Sequence, residues 1–138
     1  MKVDTSGFTL VELIIVLAIV AIIGAILIPN FLNTTDRARL RSDIQSARVL
    51  QNALDLHNME QSTPISGTDM DAAITTLDTH GYIDERRITV QTPGAHFSLD
   101  SNGNVTLNIS GVTNENVRST LYSQLSELER RYVSGGQG

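Results

Sequence analysis

From Phe8 to Ile28 the chain runs FTLVELIIVLAIVAIIGAILI, an apolar stretch of about 21 residues that carries a single charge, Glu12. At a rise of about 1.5 Å per residue, a helix of this length covers the roughly 30 Å hydrocarbon core of a bilayer. From Phe31 to about Met59 the periodicity stays helical but turns amphipathic. Leu40, Ile44, Ala47, Leu50 and Leu54 recur at three- and four-residue spacing, while Arg37, Arg41, Gln45, Arg48, Asn52 and Asp55 fall on another face. The apolar side predicts packing beneath a small head. The polar side, arginines included, predicts contact with water or with another chain. Unbroken from Phe8 to Met59, the helix would be roughly 78 Å long.

The remainder predicts a compact α+β unit. Gln61–Gly67 is a loop on composition. A short helix follows, capped by Thr68 or Asp69, with Met70, Ile74 and Leu77 on one side and Gly81 just past its end. Arg87–Gln91, His96–Leu99 and Val105–Ile109 alternate apolar and polar residues, as half-buried antiparallel strands do. Pro93-Gly94 marks the first turn between them. Asp100-Ser101-Asn102-Gly103-Asn104 marks the second and reads as a hairpin, because Asn-Gly is the strongest short hairpin signal. The same five residues invite comparison with a calcium loop but lack the EF-hand order and its distal Glu. Val117, Leu121, Leu125 and Leu128 predict a C-terminal helix capped by Asn114, and Gly135–Gly138 reads as a flexible tail.

Charge and composition narrow the chemistry. The net charge is −5 with a pI near 5.0, so no general basic face is implied and a nucleic-acid partner is not expected. The absence of cysteine removes disulfides, thiolate metal sites and Cys nucleophiles. His57, His80 and His96 lack metal-ligand spacing and read as surface or turn residues. No nucleophile motif, phosphate loop or carboxylate pair stands out, so no enzyme activity, catalytic residue, metal or cofactor is expected.

Three readings compete for the apolar run, of which a buried core helix would have to be enclosed on all sides, and a head this small cannot do that. A secretory signal needs a shorter apolar core followed by a small-residue cleavage site, and Ile26-Leu27-Ile28-Pro29 is a poor one. A membrane span fits better. Within it Glu12 costs about 2.5–3.5 kcal/mol on insertion scales. The side chain either reaches toward the nearby interface or meets a positive partner. The segment holds no Lys or Arg, but an α-amino group created by a cut just before Phe8 would serve.

Gly7-Phe8-Thr9-Leu10-Val11-Glu12, followed by apolar sequence to Pro29, resembles the start of the type IV pilins and pseudopilins with Phe at the mature N-terminus. The resemblance covers Met1 to about Phe31. It implies cleavage by a prepilin peptidase between Gly7 and Phe8, N-methylation of Phe8, and pairing of Glu12 with the Phe8 amine of a neighbouring subunit, which would set register. It also implies the type IV pilin fold, with the long N-terminal helix under a small antiparallel sheet. The expected organisation is a leader at 1–7, a transmembrane and later filament-core helix at 8–29, an amphipathic continuation at 30–60, and a globular head at 61–138. Gly24 and Pro29 mark either an ordinary kink or a stretch that unwinds on assembly. The leader has only Lys2 as a base, whereas Arg37, Arg39 and Arg41 follow the span; the positive-inside rule alone would place the N-terminus outside, and the resemblance places it in the cytoplasm.

The function implied is a structural subunit of a type IV pilus, acting in adhesion, twitching motility and surface attachment. Its partners would be copies of itself, the prepilin peptidase, and assembly machinery comprising an inner-membrane platform and ATPases. The precursor would sit in the cytoplasmic membrane and the product in an extracellular filament. A type II secretion pseudopilin and a competence (DNA-uptake) pilin are the alternatives. An uncleaved, membrane-tethered enzyme or sensor is a third.

Overall fold

A computed structural model describes residues 7–113 and 115–136, with the backbone alone at 28–33 and 116. The elements are helix α1 (Leu10–Glu60), helix α2 (Met70–Thr79), a 3-10 turn (Glu85–Arg87), strands β1 (His96–Leu99) and β2 (Val105–Asn108), helices α3 (Glu115–Ser123) and α4 (Glu127–Arg130), and strand β3 (Val133–Ser134). The chain divides into two compact units, one up to Thr35 and the other from Asp36 onward. Among the described residues of the first unit, α1 is the regular element.

The second unit is α+β, with its core assembled on the amphipathic part of α1. Leu40, Ile44, Ala47, Leu50 and Leu54 are all buried, so the predicted stripe is the packing face. Ala47, Leu50, Ala53 and Leu54 pack with Met70, Ala73 and Leu77 of α2 and with Leu99 and Val105 of the sheet. Leu40 and Ile44 pack with Leu107, Ile109, Leu121, Leu125 and Val133.

Helix α2 forms between its expected signals. Asp69 is the cap and accepts the Ala72 N–H at 3.1 Å. At the other end Tyr82 N–H reaches the Leu77 carbonyl and Gly81 N–H the Asp78 carbonyl, with Gly81 at φ +78°. This paired closure needs a left-handed residue, which Gly supplies at low cost.

The sheet has three strands in the order β1-β2-β3. β1 and β2 form an antiparallel hairpin in which Phe97 faces Leu107 and Leu99 faces Val105. The expected turn joins them. Asp100 accepts the N–H groups of Asn102 and Asn104, each at 2.8 Å, and the Asn104 amide at 3.0 Å. Gln51 ties this hairpin to α1 by accepting Val105 N–H at 2.7 Å.

Four expectations are corrected here. Arg87–Gln91 is not a strand. Asp84 caps a 3-10 turn through Arg86 N–H, and the N–H groups of Gln91 and Thr92 go to the Asp43 carboxylate rather than to a neighbouring strand. The third strand is instead β3, which runs parallel to β2, so the sheet is mixed and not wholly antiparallel. The C-terminal helix is two helices. Ser126 and Glu129 form a capping box that starts α4 afresh, and this turns Leu128 outward to 65% exposure while Leu121 and Leu125 stay buried. Gly135 and Gly136 are not a loose tail: Gly136 is buried against the Tyr122 ring, closely enough that a Cβ would collide with it. Asn114 and residues 137–138 lie outside the described residues.

The polar side of α1 is also more engaged than its pattern suggests. Arg37, Gln45, Asn52 and Asp55 are exposed as expected. Arg48 is half-buried with its guanidinium over the Tyr132 ring, 5.2 Å from the centroid. Arg41 pairs with Glu129 at 3.5 Å and Arg39 with Asp36 at 3.6 Å.

Candidate functional site

The candidate site is the start of α1 and the apolar rod that follows it. Gly7 and Phe8 precede the helix in exposed chain without regular structure; Phe8 is 82% exposed, and a Cβ placed on Gly7 would meet nothing within 4 Å. Residues 1–6 of the expected leader lie outside the described residues.

Thr9 is the helix cap, and Glu12 is the third residue of the first turn. The Glu12 N–H reaches the Thr9 hydroxyl at 3.3 Å. In return, Glu12 Oε2 accepts the Thr9 N–H at 2.9 Å and the Thr9 hydroxyl at 3.0 Å. This reciprocal arrangement is a capping box. The carboxylate thus satisfies donors that any helix start leaves open, and it lies where the positive end of the helix dipole favours a negative charge. Neither the interface reading nor the cation-partner reading of Glu12 includes Thr9, although the signal is present as Thr9-x-x-Glu12. Both bonds end on Oε2, so Oε1 keeps its capacity to accept from an incoming donor.

Beyond the cap, Leu10–Leu27 is long and apolar enough to cross a membrane, and it is the one such helix among the described residues. Its large side chains are between 48% and 75% exposed on every side of the helix. Removing one such side chain from water is worth roughly 1.5–3 kcal/mol. Two or three of them therefore outweigh the cost of carrying Glu12 into lipid. The backbone is helical through Gly24 and Pro29. Pro29 has no N–H, so the bond to the Ala25 carbonyl cannot form.

In the second unit the structure joins two histidines that the sequence left apart. His57 is 2% exposed, not a surface residue, and lies 5.0 Å from His80 between ring centroids. His96 is exposed on β1. Among the described residues no three His, Asp or Glu side chains gather to hold a metal ion.

Comparison with known proteins places this geometry in context. Residues 4–28, which include Phe8 and Glu12, match the family described as the prokaryotic N-terminal methylation motif. Prepilin peptidase-dependent protein A of Clostridium perfringens is 30% identical over 125 residues, covering 91% of this chain and 69% of that protein. The type IV wide pilus major component PilA4 of Thermus thermophilus is 40% identical over 74 residues, 54% of each chain. Type II secretion system core protein G of Aeromonas hydrophila is 29% identical over 70 residues, 50% of this chain and 49% of that one. The alignments to the last two thus span about half of each relative. No solved structure matches the chain.

Proposed function

The chain belongs to the type IV pilin and pseudopilin family, and on that footing we propose that it is a structural subunit of a type IV pilus, polymerising into a filament on a bacterial cell surface. In this reading a prepilin peptidase removes residues 1–7 by cutting between Gly7 and Phe8, and the new Phe8 amine is N-methylated. Residues 8–29 anchor the precursor in the cytoplasmic membrane and then form the filament core. Residues 30–60 continue the helix and 61–138 form the head. Adhesion, twitching motility and surface attachment are properties of the assembled fibre, extended by ATPases acting through an inner-membrane platform.

One observation carries the reading: an apolar helix exposed on all sides, opening with a polar cap at Thr9 and Glu12. Such a rod needs lipid around it, or other copies of itself, and a filament subunit uses both in turn. During transfer Glu12 takes the Phe8 amine of a neighbouring copy. A buried carboxylate is tolerable when so paired, and the pairing fixes register.

Mass spectrometry of the native protein, combined with electron microscopy of sheared fibres, tests this. The expected N-terminus is N-methyl-Phe8. Glu12→Ala is expected to abolish or sharply reduce fibres while the second unit keeps its fold. Normal fibre yield from that variant would overturn the pairing role. The match to core protein G favours one second reading, a pseudopilin of type II secretion. A deletion strain separates the two: a pilus subunit takes surface fibres with it, whereas a pseudopilin takes exported proteins out of the medium and leaves surface fibres intact.

A further inference from the structure

His57 lies in the last turn of α1, and His80 caps the C-terminus of α2. Their rings meet edge to face at 80°, 5.0 Å apart. The Tyr82 ring lies 5.4 Å from His57 on a second side, and its hydroxyl is held by Glu60 at 2.7 Å. Both histidines line a cleft of about 430 Å³ that opens to solvent, with buried His57 at its floor and exposed His80 at its wall.

The hydrogen bonds set the tautomers. His80 Nδ1 lies 2.8 Å from the Thr76 carbonyl, which can only accept, so in the neutral ring Nδ1 carries the proton and Nε2 keeps its lone pair. His57 Nδ1 faces Asn58 Oδ1 at 3.5 Å, and that oxygen is identified as the acceptor because it takes the Ile65 N–H at 2.8 Å. This longer contact favours the same tautomer for the neutral His57 ring. An imidazole whose Nδ1–H is held by an oxygen presents Nε2 as a ligand of fixed orientation, an arrangement common behind metal-bound histidines.

From this pairing we propose that His57 and His80 form a two-imidazole site for a borderline divalent transition ion, with Zn²⁺ as the probe. Nitrogen ligands select Zn²⁺, Ni²⁺ or Cu²⁺ over Ca²⁺ and Mg²⁺. Asp69 lines the same cleft and adds a negative field. It does not converge with the rings into a three-residue group, so water fills the remaining positions. The bound ion staples the end of α1 to the end of α2 and stabilises the second unit.

The test uses the full chain, without a histidine tag, in detergent micelles. Zn²⁺ at ten times its dissociation constant is expected to raise the thermal midpoint by about 6–11 °C. Ca²⁺ and Mg²⁺ at equal concentration should leave it unchanged, and His80→Ala, at an exposed position, should abolish the Zn²⁺ response. Nitrogen-15 spectra should show the Nε2 signals of His57 and His80 moving with Zn²⁺ while that of His96 stays in place. Persistence of the rise in His80→Ala, an equal rise with Ca²⁺, or movement confined to His96 would each overturn the site.

Discussion

Asp43 accepts the backbone N–H of Thr92 at 2.7 Å across 49 residues of sequence, and its other oxygen takes the N–H of Gln91 at the same distance. The carboxylate is wholly buried. A helix side chain here occupies the place that a neighbouring strand would otherwise take, and it fixes the segment entering β1 onto α1. Asp43→Ala leaves two N–H groups without their acceptor and should cost about 2–5 kcal/mol. Asp43→Asn keeps one acceptor oxygen and should cost about half as much. Denaturant midpoints of the full chain in micelles measure both, and equal costs would count against the clamp.

The capping box predicts a separate effect at the other end of α1. Thr9→Ala removes the hydroxyl that receives Glu12 N–H and donates to Glu12 Oε2. A cap of this kind is worth about 1 kcal/mol. Amide hydrogens in the first turn should therefore exchange about fivefold faster, with Thr9→Ser close to wild type and the second unit unaffected. Unchanged exchange at Val11 and Glu12 would remove Thr9 from the site.

Acid should weaken α4 and its contact with α1. Glu129 accepts the Ser126 N–H and hydroxyl, each at 2.8 Å. Those bonds, with a smaller contribution from nearby Arg41 and Arg48, hold its carboxyl below the ordinary range. A carboxyl depressed by folding contributes stability that is complete above the unfolded value, about 4.3, and disappears as pH falls through the folded value. Wild type should lose stability over that acid window. Glu129→Gln should start lower at neutral pH and show a flatter decline. Parallel curves for the two proteins would contradict this.

Two glycines with nearly equal positive φ should differ in tolerance. Gly94 has φ +83° and lies against the Gly111 carbonyl, so closely that a Cβ would collide with it. Gly103 has φ +80° with open space around it. Gly103→Ala should cost about 1–2 kcal/mol, from the left-handed conformation alone. Gly94→Ala carries that cost and the backbone collision as well, so its melting point should fall clearly further. The reverse order would refute the close approach.

Some of this architecture could be read from residue spacing and some could not, for physical reasons. Leu40, Ile44, Ala47, Leu50 and Leu54 were readable because a long helix repeats its signal over many turns. The Asp100–Asn104 hairpin was readable because its turn chemistry is local. β3 was not: two residues hold no alternation, and its partner Leu107 is remote in sequence. Arg87–Gln91 alternates like a strand, yet nothing in that pattern reveals that Asp43 takes its N–H groups. The capping boxes at Thr9–Glu12 and Ser126–Glu129 were written in the sequence in the usual form. They were obscured because one opens a membrane-type segment and the other interrupts an otherwise continuous apolar stripe. The pairing of His57 with His80 depends on how α1 and α2 meet, which spacing along the chain does not encode.

The parallel strand Val133–Ser134 has a bearing on biogenesis. Until it docks, one edge of β2 offers unpaired N–H and C=O groups to any passing strand. A ribosome delivers the long helix and the hairpin well before those two residues, so the nascent domain waits with an open flank. Stalled or clipped chains lacking residues 133–134 should accordingly be the ones that clump or attract chaperones and proteases.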